Sequence, residues 1–191
     1  VGTIEMPTLP VSSGSIETWG NGSMSSPSNY KYVPGPVALD YAVLDAADNH
    51  CVAVRTDGTL EVWGNEDHAG TYNLFNVPAG NDFIDVSAGS THIVALRADG
   101  SVTVWGGDGT ETAYAPEGTD YVAIAAGYNA TYLLRSDGAI EGYNLSGEII
   151  ATPEGNNFTS LSSSKSYDYN LALTIDGTLV GWDSTGALMP V

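Results

Sequence analysis

The chain has 191 residues, enough for one domain with a hydrophobic core, and its 23 acidic and 5 basic residues give a net charge of −18. A surface this acidic repels phosphate groups, which argues against nucleic acid and anionic membranes as partners. The single cysteine, Cys51, excludes an intramolecular disulfide. No apolar run reaches the ~20 residues of a membrane helix. We therefore expect neither nucleic-acid binding nor membrane insertion.

The predicted elements follow a repeat. A faint copy, SGSIETWGN, lies at 13–21, and fuller copies follow: DGTLEVWGN at 57–65, DGSVTVWGG at 99–107, DGAIEGYNL at 137–145 and DGTLVGWDS at 176–184. The Asp-Gly pairs are 42, 38 and 39 residues apart. Asp-Gly favours a tight hairpin turn because glycine accepts a positive φ. The chain therefore repeats a hairpin about every 40 residues.

A second shared block precedes each Asp-Gly pair. It spans 40–58, 82–100 and 120–138 without a gap, and 157–177 with a two-residue insertion in the turn SKSYDY. Alternating apolar and polar residues predict short strands on both sides of each turn. Three or four short strands per repeat of this length are typical of a β-propeller blade.

One repeat carries a family resemblance. Val86–Gly106 reads V-x-A-G-x-x-H-x-x-A-L-x-x-D-G-x-V-x-x-W-G, and it resembles the repeat of the regulator of chromosome condensation superfamily of β-propellers. The resemblance covers about 34–191, and it is strongest at 82–107 and weakest at 157–183. It implies a propeller fold. It does not imply the nuclear exchange-factor activity, because propellers of this type serve many functions, secreted inhibitors of β-lactamases among them.

We predict an all-β fold in which 1–191 form a single β-propeller domain of about four full blades plus a truncated N-terminal blade. The truncated blade and its loop occupy 1–33, and the repeat cores are 34–65, 78–107, 116–145 and 153–184. Complete units take 21 or 23 residues from Pro to Asp-Gly, whereas Pro7 to Ser13 takes 6. Proteins normally cover open strand edges. The shortfall therefore predicts either a small propeller closed by a partial blade or completion by another polypeptide.

Tyrosines outside the repeat pattern give the candidate binding surface. Tyr128 and the insertion with Tyr167 and Tyr169 fall in the same inter-strand turn of adjacent units, so we expect them on one face of the propeller. Tyr132 follows shortly after the first of these turns. Loop tyrosines supply contact area at small entropic cost, which is typical of recognition surfaces. The alternative interpretation is that these side chains only fill the loops.

Three arginines share one repeat position, two residues before the aspartate of an Asp-Gly turn: Arg55, Arg97 and Arg135. They form an arc on one ring of the fold. One interpretation is a binding site for an anion or an acidic partner. The other is a local ion pair with the aspartate of the adjacent turn, or with the next blade, because such surface pairs are common.

No metal site or cofactor is predicted. His50 and His92 also share a repeat position, but equivalent residues of different blades point into different seams, so we interpret them as structural. The sequence contains no G-x-S-x-G, H-E-x-x-H, Cys-x-x-Cys or phosphate-loop motif. We therefore predict a protein that is not an enzyme.

The leading functional hypothesis is a non-catalytic recognition or structural propeller. We expect a surface module of an extracellular assembly, such as a virion (capsid decoration or tail fibre) or a cell-surface appendage. The Gly-, Ser-, Thr- and Asn-rich acidic composition and the truncated blade motivate this hypothesis. Its partners would be another protein or other copies of the chain. The alternative is a soluble ligand-binding propeller, either a lectin that binds a glycan or a protein inhibitor of a secreted enzyme.

Overall fold

The computed structural model describes residues 40–65, 70–107 and 113–190, and this part of the chain contains thirteen β-strands. They form four antiparallel sheets in which neighbours in sequence are neighbours in space. The first sheet contains β1 (Tyr41–Ala46), β2 (His50–Arg55) and β3 (Leu60–Gly64), and the second contains β4 (Phe83–Ala88), β5 (His92–Arg97) and β6 (Val102–Gly106). The third contains β7 (Tyr121–Ala126), β8 (Ala130–Arg135) and β9 (Ile140–Asn144). The fourth contains β10 (Phe158–Ser163), β11 (Asn170–Thr174), β12 (Leu179–Trp182) and β13 (Leu188–Met189).

Each sheet is a meander of the kind that forms a propeller blade, so the prediction of an all-β propeller is confirmed. The truncated N-terminal blade predicted at 1–33 lies outside the described residues. The four first strands share a register shift near their start, between Tyr121 and Ala123 in the third sheet, for example. Such a bulge bends the strand and increases its twist.

Hydrogen bonds within each Asp-Gly turn hold the hairpin closed. In the second sheet, Asp99 Oδ1 accepts hydrogen bonds from the Ser101 amide at 2.9 Å and from its hydroxyl at 2.6 Å. The Gly100 amide donates to the Arg97 carbonyl at 3.0 Å, and Gly100 has a φ of 82°. Only glycine adopts this conformation at little cost, so the dipeptide itself forms the hairpin.

The same glycines join each sheet to the next. The carbonyl oxygen of the turn glycine accepts a hydrogen bond of 3.1 Å from the amide of the first aromatic residue of the following sheet. We call this interaction the docking contact. Within the described residues it occurs three times, from Phe83 to Gly58, from Tyr121 to Gly100 and from Phe158 to Gly138.

The docking contact brings two backbones too close for a side chain. A Cβ atom on Gly100 would lie 2.4 Å from the carbonyl oxygen of Thr119, and the corresponding distances are 2.2 Å for Gly58 and 2.4 Å for Gly138. The fourth turn glycine, Gly177, has a similar φ of 86°, but a Cβ there would meet nothing within 4 Å in the described part of the chain. Among the described residues, the fourth turn therefore has the hairpin geometry without a docking contact.

Apolar side chains fill the seams between successive sheets. One buried cluster contains residues of the first and second sheets, including Val52, Phe83 and Ile93, and another contains residues of the second and third. A third cluster joins the third and fourth sheets through Leu134 and Trp182. In these three seams the alternating strands bury a face by packing it against the neighbouring sheet, as stacked repeats require.

Lys165 connects the fourth sheet to the other three. It lies in the turn between β10 and β11, and its ammonium donates to Asp45 Oδ2 at 2.8 Å, to Ser87 Oγ at 3.2 Å and to the Ala126 carbonyl at 3.3 Å. Ser166 Oγ also donates to Asp48 Oδ2 at 3.0 Å. Lys165 therefore bonds to the first strand of each of the other three sheets, β1, β4 and β7.

His92 has a structural role at one of these seams. It is fully buried, and its Nε2 lies 3.1 Å from Thr131 Oγ1 of the third sheet. Burial lowers the pKa of His92 to about 3, and nearby His50 and Lys165 act in the same direction. The ring is therefore neutral in the folded protein.

The docking contact predicts unequal costs for two matched substitutions. Gly177→Ala should cost about 1–2 kcal/mol of unfolding free energy, because alanine is strained at positive φ. Gly100→Ala should cost about 1–3 kcal/mol more, because the added Cβ also collides with the next backbone. Urea denaturation of both variants measures the difference. Equal costs would contradict the docking contact.

Candidate functional site

The third and fourth sheets enclose a cavity of about 290 Å³ at their seam, which we call the seam pocket. Its wall includes Tyr128 from the β7–β8 turn and Tyr167 from the inserted β10–β11 turn. Tyr132, Asn170 and Ser184 complete it together with neighbouring residues. The pocket therefore lies where the equivalent turns of two adjacent units meet.

The floor of the pocket is a polar network centred on Asn170. The Asn170 side-chain amide donates to the Tyr132 hydroxyl at 3.0 Å and to the Trp182 carbonyl at 3.3 Å. Its Oδ1 accepts a hydrogen bond of 2.7 Å from Ser163 Oγ. The Tyr132 ring packs edge-on against Trp182, with ring centroids 5.6 Å apart. These bonds pair both atoms of the Asn170 side-chain amide and so hold this residue in one arrangement, whereas the buried Trp182 Nε1 has no hydrogen-bond partner in the described part of the chain.

The rim of the pocket is exposed and aromatic. Tyr128 is 50% and Tyr167 79% exposed, although tyrosine rings more commonly bury their apolar faces. Asp168 lies beside them, and its carboxylate accepts hydrogen bonds from the Ser184 amide, at 2.8 Å, and from the Ser184 hydroxyl. The rim thus presents two aromatic rings and an oriented carboxylate to solvent.

The electrostatic environment of the pocket is negative. The pKa of Tyr132 is raised to about 12, chiefly by burial, and the carboxylates of Asp168 and Asp183 raise it further. The hydrogen bond from Asn170 lowers that pKa without offsetting the other effects. Tyr132 is therefore a neutral phenol, held beside two carboxylates.

The structure brings three of the four predicted tyrosines together. Tyr128, Tyr132 and Tyr167 all line the seam pocket, and their binding role stays a prediction. Tyr132 is only 2% exposed and forms part of the floor. Tyr169 does not line the pocket, and its hydroxyl donates to the Pro190 carbonyl at 3.3 Å.

The three predicted arginines are not part of this pocket. Arg135 ends β8, whereas the pocket lies at the start of that strand, and the two ends of a six-residue strand are roughly 17 Å apart. Each arginine pairs with the aspartate that begins its own unit, as Arg55 does with Asp40 at 2.8 Å. Arg55 and Arg135 also pair with a glutamate of the third strand.

The local ion pairs therefore use other partners than the sequence suggested. The turn aspartates accept hydrogen bonds within their own turns, and of the three only Asp137 approaches its arginine, with 3.8 Å between Asp137 Oδ1 and Arg135 Nε. In the fourth unit Thr174 replaces the arginine and Asn157 the aspartate. Thr174 Oγ1 instead donates to Asp176. The arginine position thus stabilises the end of each hairpin.

Sequence reasoning missed Asn170, Asp168 and Ser184. A signal existed for Asn170, which begins β11 at the position that His50 and His92 occupy in the first two units. A departure from the repeat thus marked the floor of the pocket. Asp168 and Ser184 are 16 residues apart in irregular segments, so their pairing had no local signature.

The described residues contain no cluster of three or more histidine, cysteine, aspartate or glutamate side chains that could hold a metal ion. The same part of the chain has no helix with the length and apolar character that a membrane span needs.

Comparison with known families supports the resemblance of the repeat. The model of the regulator of chromosome condensation (RCC1) repeat matches residues 83–110, which include all three strands of the second sheet. A comparison with curated proteins found no match.

Solved structures of β-propellers resemble more than three quarters of this chain. Yeast RCC1 (Prp20) bound to Kap60 is 15% identical, with a TM-score of 0.58 over 79% of this chain and 45% of that one. Human WBSCR16 is 16% identical, with a TM-score of 0.58 over 78% and 49%. The CRINKLY WD40 ectodomain of the Arabidopsis thaliana receptor kinase ACR4 is 17% identical, with a TM-score of 0.55 over 77% and 51%. This chain thus spans about half the length of these structures, and the likeness shows a propeller fold.

The division of the pocket into floor and rim predicts unequal effects on stability. Asn170→Ala should lower the free energy of unfolding by about 1–3 kcal/mol, because it leaves buried polar groups unpaired. Tyr167→Ala should change it by less than about 0.5 kcal/mol, since the side chain is mostly exposed. Chemical denaturation of the two variants measures both values. A large loss for Tyr167→Ala would show that this ring supports the fold.

Proposed function

We propose that this chain is a non-catalytic protein-binding module whose recognition surface is the seam pocket with its surrounding turns. One observation carries the proposal: two exposed tyrosines from adjacent units stand over a floor that hydrogen bonds hold in place. Exposed aromatic side chains on a rigid base provide contact area without a large ordering cost.

Relatives of the fold give this proposal context. The yeast RCC1 protein Prp20 has been solved bound to Kap60, and a second structure of Prp20 was described with its binding to Gsp1p and histones. These proteins share the propeller fold, at low identity and with longer chains. The likeness supports the binding of a protein in general.

We further propose that the protein serves as a surface module of an extracellular assembly, such as a virion or a cell-surface appendage. The acidic composition supports a protein that stays soluble while it is densely displayed. Large apolar side chains outside the pocket remain exposed, including Ile149 at 82% and Leu188 at 71%, and offer further contact area.

A second candidate function is glycan binding. The observation in its favour is the pairing of exposed tyrosines with asparagine and serine side chains in the pocket wall. A glycan array probed with the whole chain tests it. Binding to a defined glycan that disappears in Tyr128→Ala would favour this candidate over the protein-binding module.

Selection from a random peptide library tests the leading proposal. Peptides displayed on phage and selected on the whole chain should lose at least about tenfold in affinity with the double variant Tyr128→Ala, Tyr167→Ala. A tenfold loss is about 1.4 kcal/mol, or about 0.7 kcal/mol for each ring, which lies within the range of about 0.5–1.5 kcal/mol for an aromatic contact. Ile175→Ser is the matched control, since Ile175 is 69% exposed beyond the opposite end of β11. Peptides that respond to the control and not to the tyrosines would contradict the proposed surface.

The assembly role predicts self-association or capture of a partner. Light scattering should give a molar mass above that of one 19.9-kDa chain when copies of the chain assemble with each other. A strictly monomeric particle that also fails to retain any selected binding partner would contradict the assembly role. It would leave glycan binding as the remaining candidate.

A further inference from the structure

We propose that the seam pocket binds the side chain of a lysine or arginine on a basic partner protein. This inference rests on the protein-binding function proposed above and names the chemistry that the partner would present.

The first argument is the distribution of charge. All four basic side chains in the described part of the chain form internal ion pairs: Arg55, Arg97, Arg135 and Lys165. None of them lines the pocket. With a net charge of −18, the surface outside these pairs is acidic and attracts a basic partner.

The second argument is the chemistry of the rim. Tyr128 and Tyr167 come from separate sheets and stand at one opening. The face of a tyrosine ring attracts a cation within about 6 Å. A side chain that enters between the two sheets therefore passes aromatic rings contributed by both.

The third argument is the carboxylate of Asp168. Each of its oxygens accepts one hydrogen bond from Ser184, and these bonds orient the group at the rim. Ionised carboxylate oxygens have about four lone-pair positions in total, so two remain for a ligand. Asp183 directly follows β12. The carboxylates of Asp168 and Asp183 both raise the pKa of Tyr132, as expected for a negative electrostatic field at the pocket. An ammonium or guanidinium group would find both a negative field and free acceptors here.

The fourth argument separates a cation from a sugar. Two of the three asparagines in the pocket wall already use both atoms of their side-chain amides, Asn170 and Asn144, so only Asn129 is left to bind sugar hydroxyls. Asn144 Nδ2 donates to Glu148 Oε2 at 2.7 Å, and its Oδ1 accepts from the amides of Ser146 and Glu148. A volume of about 290 Å³ is also at the lower end for small-molecule sites, which suits one amino-acid side chain.

The test is an NMR titration of the whole chain with three capped tripeptides: Ac-Gly-Lys-Gly-NH₂, the same peptide with an acetylated lysine, and Ac-Gly-Glu-Gly-NH₂. We expect saturable shifts of the Tyr128 and Tyr167 ring signals with the lysine peptide alone. Asp168→Asn and Tyr167→Ala should each weaken its binding about two- to fivefold. Ile175→Ser should leave binding unchanged, and added salt should weaken it.

Equal shifts with the acetylated peptide, or shifts with N-acetylglucosamine in place of the lysine peptide, would overturn the inference. So would the absence of shifts at the highest peptide concentration. If library-selected peptides still depend on the rim tyrosines, the proposed function survives and only the cation is wrong. If lysine binds the pocket but no selected peptide depends on the tyrosines, the proposed function fails instead.

Discussion

The hydrogen bond from the first aromatic amide of one unit to the turn glycine of the previous unit governs the rest of this structure. A meander of three short strands cannot bury its apolar faces by itself, because these faces have nothing to pack against until a neighbouring sheet is present. The docking contact fixes where the next hairpin lies and so closes the apolar seams. There are two reasons why the turn residue is glycine. The backbone has a positive φ, and the next chain segment lies 2.4 Å from the position that a Cβ of Gly100 would occupy.

The candidate site arises where the repeat departs from its own pattern. Equivalent positions supply the core, such as the buried aromatic residues Phe83, Tyr121 and Phe158 that begin three of the sheets. The site instead uses Asn170 at a position held elsewhere by histidine or alanine, together with a turn lengthened by two residues. The regular units thus hold an irregular seam in place, and rigid placement is what a recognition surface needs.

Sequence periodicity was sufficient to predict the propeller, because Asp-Gly turns and alternating strands are local signals. The same reasoning put Tyr128 and Tyr167 on one face, since both lie in the same turn of adjacent units, and the structure brings them to one pocket. It gave the arginines the wrong main partners, because an aspartate such as Asp99 bonds within its own turn before it can pair elsewhere. Lys165 reaches Asp45 across 120 residues, a contact that no local pattern can predict.

Hydrogen exchange at the three docking amides tests the central claim most directly. If the contacts join the units into one cooperative body, the amides of Phe83, Tyr121 and Phe158 should exchange as slowly as a mid-strand amide such as that of the fully buried Val94. All four would then open with the same free energy. The contrary result is that the docking amides exchange at rates near those of an unstructured peptide while Val94 remains protected. It would show that the sheets fold without docking, and it would contradict the account.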